Sequence, residues 1–172
     1  MKKNFYNNPL KIIWYGKKAL LPNYLWIIWI IIVSFFSIGL YYKNIDFSSF
    51  DIHKYLSPTI TGLSFTLALF VAQRNIFDME ELKQFAKYKG KNDPFKGVAL
   101  LELFAPFIFT AGVFLVLGIA SLITPYISIS VDSCISAFLK VLYISVFSLG
   151  IISLFNLLNM MFNDLYHKAH RS

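Results

Sequence analysis

The chain has 172 residues, 57% of them apolar, 18% aromatic and only 15% charged. A soluble domain averages about 45–50% apolar and about 25% charged residues, and one of this length has too small an interior to hide such an excess. Disorder and collagen-like repeats are excluded on the same figures, and a disulfide scaffold or multi-cysteine zinc site by the single cysteine, Cys134.

In chain order, residues 1–23 form a cytosolic or interfacial segment. Pro9 suits the first position of a short helix running to Leu21. Leu10, Ile13 and Trp14 share one face of it, while Lys11 and Lys18 reach lipid headgroups; the plain alternative is a positive flank. The apolar run begins too late, and is too long, for a cleaved signal peptide.

Crossing a bilayer core of ~30 Å takes about 20 mostly apolar residues in a helix. Four segments of a membrane domain over 24–165 meet that requirement, at about 24–42, 58–77, 98–123 and 136–162. The first carries no charge; Thr59, Thr61, Ser64 and Thr66 dilute the second; the third holds Glu102 and Pro106. Runs this long favour helices over the alternating short strands of a barrel. The expected fold is therefore all-α, an integral four-helix transmembrane bundle with short amphipathic cytosolic helices.

The middle loop predicts its own helix over about 79–89. Asp78 and Glu81 have capping-box spacing, acids open it, Lys87 and Lys89 close it, and Gly90 fits a left-handed stop. Leu82, Phe85 and Ala86 give it a narrow apolar face toward the membrane or a partner. Asp93-Pro94 then reads as N-cap and first residue of the helix that continues into the third span. The two outer connections are too short for a domain, and residues 166–172 form a tail.

Thirteen of the sixteen basic residues flank the first span's start, fill the 74–96 loop or follow the fourth span; only Lys43, Lys54 and Lys140 fall on the other side. The positive-inside rule then predicts both termini and the middle loop in the cytoplasm, in a multi-pass protein of the inner membrane. Topology and contact with anionic lipid account for the net charge of +7, and no nucleic-acid partner is expected. Lys140 enters the fourth span from outside and snorkels outward, with a pair to Asp132 as the alternative.

No catalytic constellation appears: there is no phosphate loop, nucleophile elbow or HExxH. No cofactor or metal is expected, since His167 and His170 lack a carboxylate or thiolate set beside them in the sequence. Two stripes stand out instead. Thr61, Ser64, Ala68 and Ala72 recur along one face of the second span, and Ala111 and Gly118 recur on the third, as helix-packing or oligomer surfaces. On this reading Ala68 packs and Leu69 faces lipid. The other stripe is polar: Ser153, Asn156, Asn159, Asn163 and His167 on the fourth span. With Gln73 and Arg74 ending the second span and Glu102 beginning the third, it forms an expected polar layer, with Glu102 opposite Arg74 or an Asn.

Two functions fit. In the first, several copies assemble into a channel-like or membrane-perturbing homo-oligomer whose Asn stripe faces a wet interior. In the second, the protein is a non-catalytic anchor or adaptor that recruits a cytosolic protein through the 78–96 loop. In size and layout the chain resembles small accessory membrane proteins of bacteria, membrane components of antiviral systems among them, a likeness that transfers no residues; the three amides with Glu102 favour the first function, and the second is the alternative. An enzyme is expected on neither.

Overall fold

The computed structural model describes residues 8–42, 44–47, 50–91, 93, 95–126 and 133–170. Every regular element among them is helical: α1 (Pro9–Tyr15), α2 (Asn23–Tyr41), α3 (Leu56–Ile76), α4 (Met79–Lys87), α5 (Val98–Ile123) and α6 (Ser133–Ala169). Four of these, α2, α3, α5 and α6, are long and apolar enough to cross a membrane. The expected span bounds agree with α2, α3 and α5 to within about two residues. Helix α6 runs further at both ends, 37 residues in all.

Local chemistry explains the short elements. Asn8 caps α1 by accepting the Leu10 N–H at 3.0 Å, and Pro9 follows it. Helix α1 lies against α5, where Gly16 lets the backbones close: a methyl there would sit 2.3 Å from Ala105 Cβ. Leu10 and Trp14 stay exposed, and Lys17 lies 4.8 Å above the Trp14 ring. The capping box of α4 is present in both halves, with Glu81 accepting the Asp78 N–H at 2.8 Å.

The end of that loop differs from expectation. Helix α4 stops at Lys87 in an extended Tyr88, and the left-handed residue is Gly97 (φ +91°), not Gly90. Gly97 precedes α5 and donates its N–H to the Tyr88 carbonyl at 2.8 Å, which folds the loop back on itself. Asp93 does not cap α5; it accepts the Gly90 N–H at 2.7 Å and closes a turn. Pro94, like Lys43 and Asp132, lies outside the described residues.

Three apolar patches fill the bundle. Leu21, Leu25 and Ile152 join α2 to α6. Leu69, Phe107 and Leu157 join α3, α5 and α6, and Phe114, Leu117 and Tyr143 form the third. The buried hydroxyls of Thr59, Thr66 and Thr110 each return to a carbonyl of their own helix at 2.7–2.8 Å. Their neighbours therefore meet methyl groups, and Thr59 and Thr66, two of the residues that dilute the second span, are satisfied inside the bundle. Between helices, the Trp29 indole donates to the Ser145 carbonyl at 2.8 Å. At the end remote from the basic loops, Ser121 and Tyr143 share a hydrogen bond at 2.7 Å, and Lys140 donates to the Phe47 carbonyl at 2.6 Å.

The buried face of α3 is Thr59, Thr66, Leu69 and Gln73, with Gly62 against Phe114. The small-residue stripe is two residues out of register, which at ~100° per residue is the opposite side of the helix. Thr61, Ser64 and Ala68 are exposed and Ala72 half-buried. Leu69 is 7% exposed, so the expectation that it faces lipid is corrected, and Ala68 takes the outer position.

Candidate functional site

The basic end of the bundle, where α2 and α5 begin and α3 and α6 finish, borders an open cavity of about 650 Å³. Helix α4 and Phe77 form one wall, the first turns of α5 another, and the last turns of α6 the third. Its polar lining comes from Glu81, Glu102, Asp164, His167 and Lys168; Phe85, Leu103 and Met160 supply apolar surface.

Lys168 organises this end. Its ammonium donates to the Ile76 carbonyl, one of the acceptors that the end of α3 leaves without a helical partner. It also donates to Glu81 Oε2 at 3.1 Å and lies 3.8 Å from Asp78 Oδ2. One side chain of α6 thus caps α3 and holds the capping box of α4. A second tie lies one turn earlier. Gln73, with no exposed surface, donates through Nε2 to Asp164 Oδ2 at 2.5 Å, and its Oε1 has no hydrogen-bond partner.

The residues of the expected polar layer separate into distinct surroundings. Glu102 lines the cavity and has no ion-pair partner among the described residues. Arg74 is exposed and its Nη2 lies 4.0 Å from Met79 Sδ, so the expected Glu102–Arg74 pair does not form. Asn156 is buried and donates to the Leu20 carbonyl at 3.1 Å, with Met160 Sδ at 3.6 Å. Asn159 and Asn163 are exposed. On α5, Ala111 shares a small recess with Thr66 and Leu67 of α3, and a methyl at Gly118 would lie 3.5 Å from Thr59 Oγ1. No group of three or more His, Cys, Asp or Glu suited to a metal occurs among the described residues.

Sequence patterning singles out neither Asp164 nor Lys168. They stand one turn apart on α6, a spacing that marks a shared face. Their partners, however, lie 91 and 92 residues away in the chain.

No protein-family model matches the chain, and no curated protein or solved structure matches it either.

Proposed function

We propose that the chain is an integral protein of the cytoplasmic membrane, crossing it four times with both termini and α4 inside, and that it acts as a non-conducting anchor offering its inner end to a cytosolic partner. The distribution of basic residues supports the orientation. The observation that carries the anchor reading is the ordered basic end, where Lys168 fixes α4 beneath the bundle. The apolar face of α4 is half-buried there, which leaves Glu80, Lys83, Gln84 and Lys87 turned outward. Between the long helices the space is filled by Phe107, Phe114, Leu117 and Leu157, none more than 3% exposed. A single copy offers no aqueous path through that packing.

Helix length supports the same reading. The 19 residues of α2 make about 28 Å, close to a bilayer core, whereas the 37 of α6 make about 55 Å. Asn156 meets Leu20, just before α2 begins, so α6 beyond it extends past the hydrocarbon. Asn159 and Asn163 then meet headgroups and water without needing a pore.

The single cysteine gives a direct test. Cys134 is exposed, and a membrane-impermeant maleimide should label it in intact cells. In a Cys134→Ser background, Lys89→Cys should label only after permeabilisation; the reverse pattern refutes the orientation. Planar-bilayer recordings of the purified protein should stay silent.

One observation favours a channel-like homo-oligomer as the second reading. Thr61, Ser64 and Ala68 are exposed small residues, of the kind that let helices of separate copies approach closely. On that reading Ala68→Leu lowers the oligomeric mass in mild detergent and leaves the monomer as stable as before. Conductance reduced by Asn159→Leu, with assembly intact, would favour this reading over the anchor.

A further inference from the structure

Helix α1 presents a face that the bundle leaves uncovered. Leu10, Lys11 and Trp14 share about 100° of its circumference, and Leu10 and Trp14 are 71% and 68% exposed. The seam on α5 lies on the other side. Gly16, which ends the helix, is buried, and a methyl there would sit 3.1 Å from the Leu101 carbonyl oxygen as well as against Ala105. Next to it Tyr15 meets Phe95 edge-on, with ring centroids 4.9 Å apart. Seven residues are too few for a helix to persist alone, so these contacts both hold α1 and fix how it is turned.

Two independent observations bear on what covers the outer face. The first is charge. Lys11, Lys17 and Lys18 are exposed around it, Lys17 over the Trp14 ring, and residues 8–21 contain no acid. The second is level. Ala105 stands seven residues inside α5, so Gly16 docks about 10 Å along that apolar helix from its first residue, Val98. Amphipathic helices of the membrane interface lie about 5–10 Å into the boundary between headgroups and acyl chains. The exposed face therefore stands where lipid is, with a charge opposite to that of acidic headgroups.

We infer that α1 is a lipid-binding wedge: Leu10 and Trp14 insert into the bilayer interface, and Lys11, Lys17 and Lys18 select anionic phospholipid around them. A tryptophan suits this depth because its ring is apolar and its N–H reaches the headgroups. Mounted on α5 by Gly16, the wedge keeps a fixed position on the bundle, which a loose basic flank would not. The inference rests on the membrane reading above and holds for either orientation.

The test places the full chain in lipid nanodiscs of phosphatidylcholine mixed equally with phosphatidylglycerol. In a Cys134→Ser background, Leu10→Cys carries a small environment-sensitive fluorophore. Its emission should shift to the blue and be quenched by phosphatidylcholine bearing a nitroxide near the headgroup; the same fluorophore on Lys83→Cys should stay in water. In mild detergent, native mass spectrometry should find phosphatidylglycerol retained about fivefold over phosphatidylcholine, the equivalent of the ~1 kcal/mol that one lysine contributes near an anionic surface. Replacing Lys11, Lys17 and Lys18 together by glutamine should abolish that preference, and replacing them by arginine should keep it, which guards against a folding defect. Lys54→Gln, which removes a positive charge at the remote end, should leave it unchanged. A Leu10 probe that stays in water, or equal retention of the two lipids, overturns the inference. Where the chain also resists extraction by alkaline carbonate, the membrane reading survives that failure; a chain that carbonate extracts refutes both.

Discussion

Replacing Gly62 with leucine should lower the stability of the purified protein by about 3 kcal/mol, the upper end for an overpacked core. The reason is a ring wedged among three helices. Phe114 of α5 is 3% exposed, and a methyl on Gly62 of α3 would lie 2.5 Å from its Cε1. On the other side a methyl on Gly150 of α6 would stand 3.1 Å from its Cζ. Two glycines thus form the slot that the ring fills, and α3 cannot retreat without opening its contact along α5. Gly62→Ala should cost about 1–3 kcal/mol by the same mechanism, and Phe114→Ala about 3–5 kcal/mol by leaving a cavity. Because the two positions touch, Gly62→Ala combined with Phe114→Leu should cost less than the sum of the single changes. Reversible unfolding in mixed micelles measures these four variants and the Phe114→Leu single change that the comparison needs. A Gly62→Leu protein as stable as the parent would show that the slot does not close around Phe114.

The second large effect is expected from Lys168→Met. This change removes the cap on the Ile76 carbonyl and the partner of Glu81 and Asp78, while keeping much of the side chain's apolar stem. Hydrogen bonds to charged groups contribute about 1.5–3 kcal/mol, and the 39% exposure of the lysine side chain calls for a discount. A loss of about 1–2 kcal/mol follows, concentrated locally. Helix α4 has only nine residues, too few to persist without its docking surface. Its amides should exchange faster, and trypsin should cut sooner after Lys83 and Lys87, while exchange in α5 stays slow. High salt should move the parent protein part of the way toward the same behaviour, because the ion contacts are partly solvated. Unchanged protection of α4 in the variant would mean that Leu82 and Phe85 hold the helix by packing alone.

Asn156→Leu gives a smaller effect of opposite character to the exposed asparagines. It removes the bond to the Leu20 carbonyl, and such bonds average ~0.6 kcal/mol in membranes. Asn159→Leu should leave the unfolding of the monomer unchanged, since Asn159 is exposed.

What the sequence determined by itself is local. Length and apolar continuity give the four long helices, and α5 begins and ends at Val98 and Ile123 where the run of apolar residues does. The capping box at Asp78 and Glu81 is equally legible, because its two hydrogen bonds close within four residues. What only the tertiary structure decided is which face of each long helix meets protein. In a soluble helix the apolar stripe marks the core, but a helix long and apolar enough to cross a membrane is apolar all round, so the pattern carries little information about facing. Small residues then mislead in α3: the exposed stripe at Thr61, Ser64 and Ala68 has the spacing of a packing face, while the real seam hides its hydroxyls in its own backbone. The cavity is less legible still. Gln73 with Asp164, Ile76 with Lys168 and Leu20 with Asn156 are joined across 91, 92 and 136 residues, distances over which no local periodicity extends.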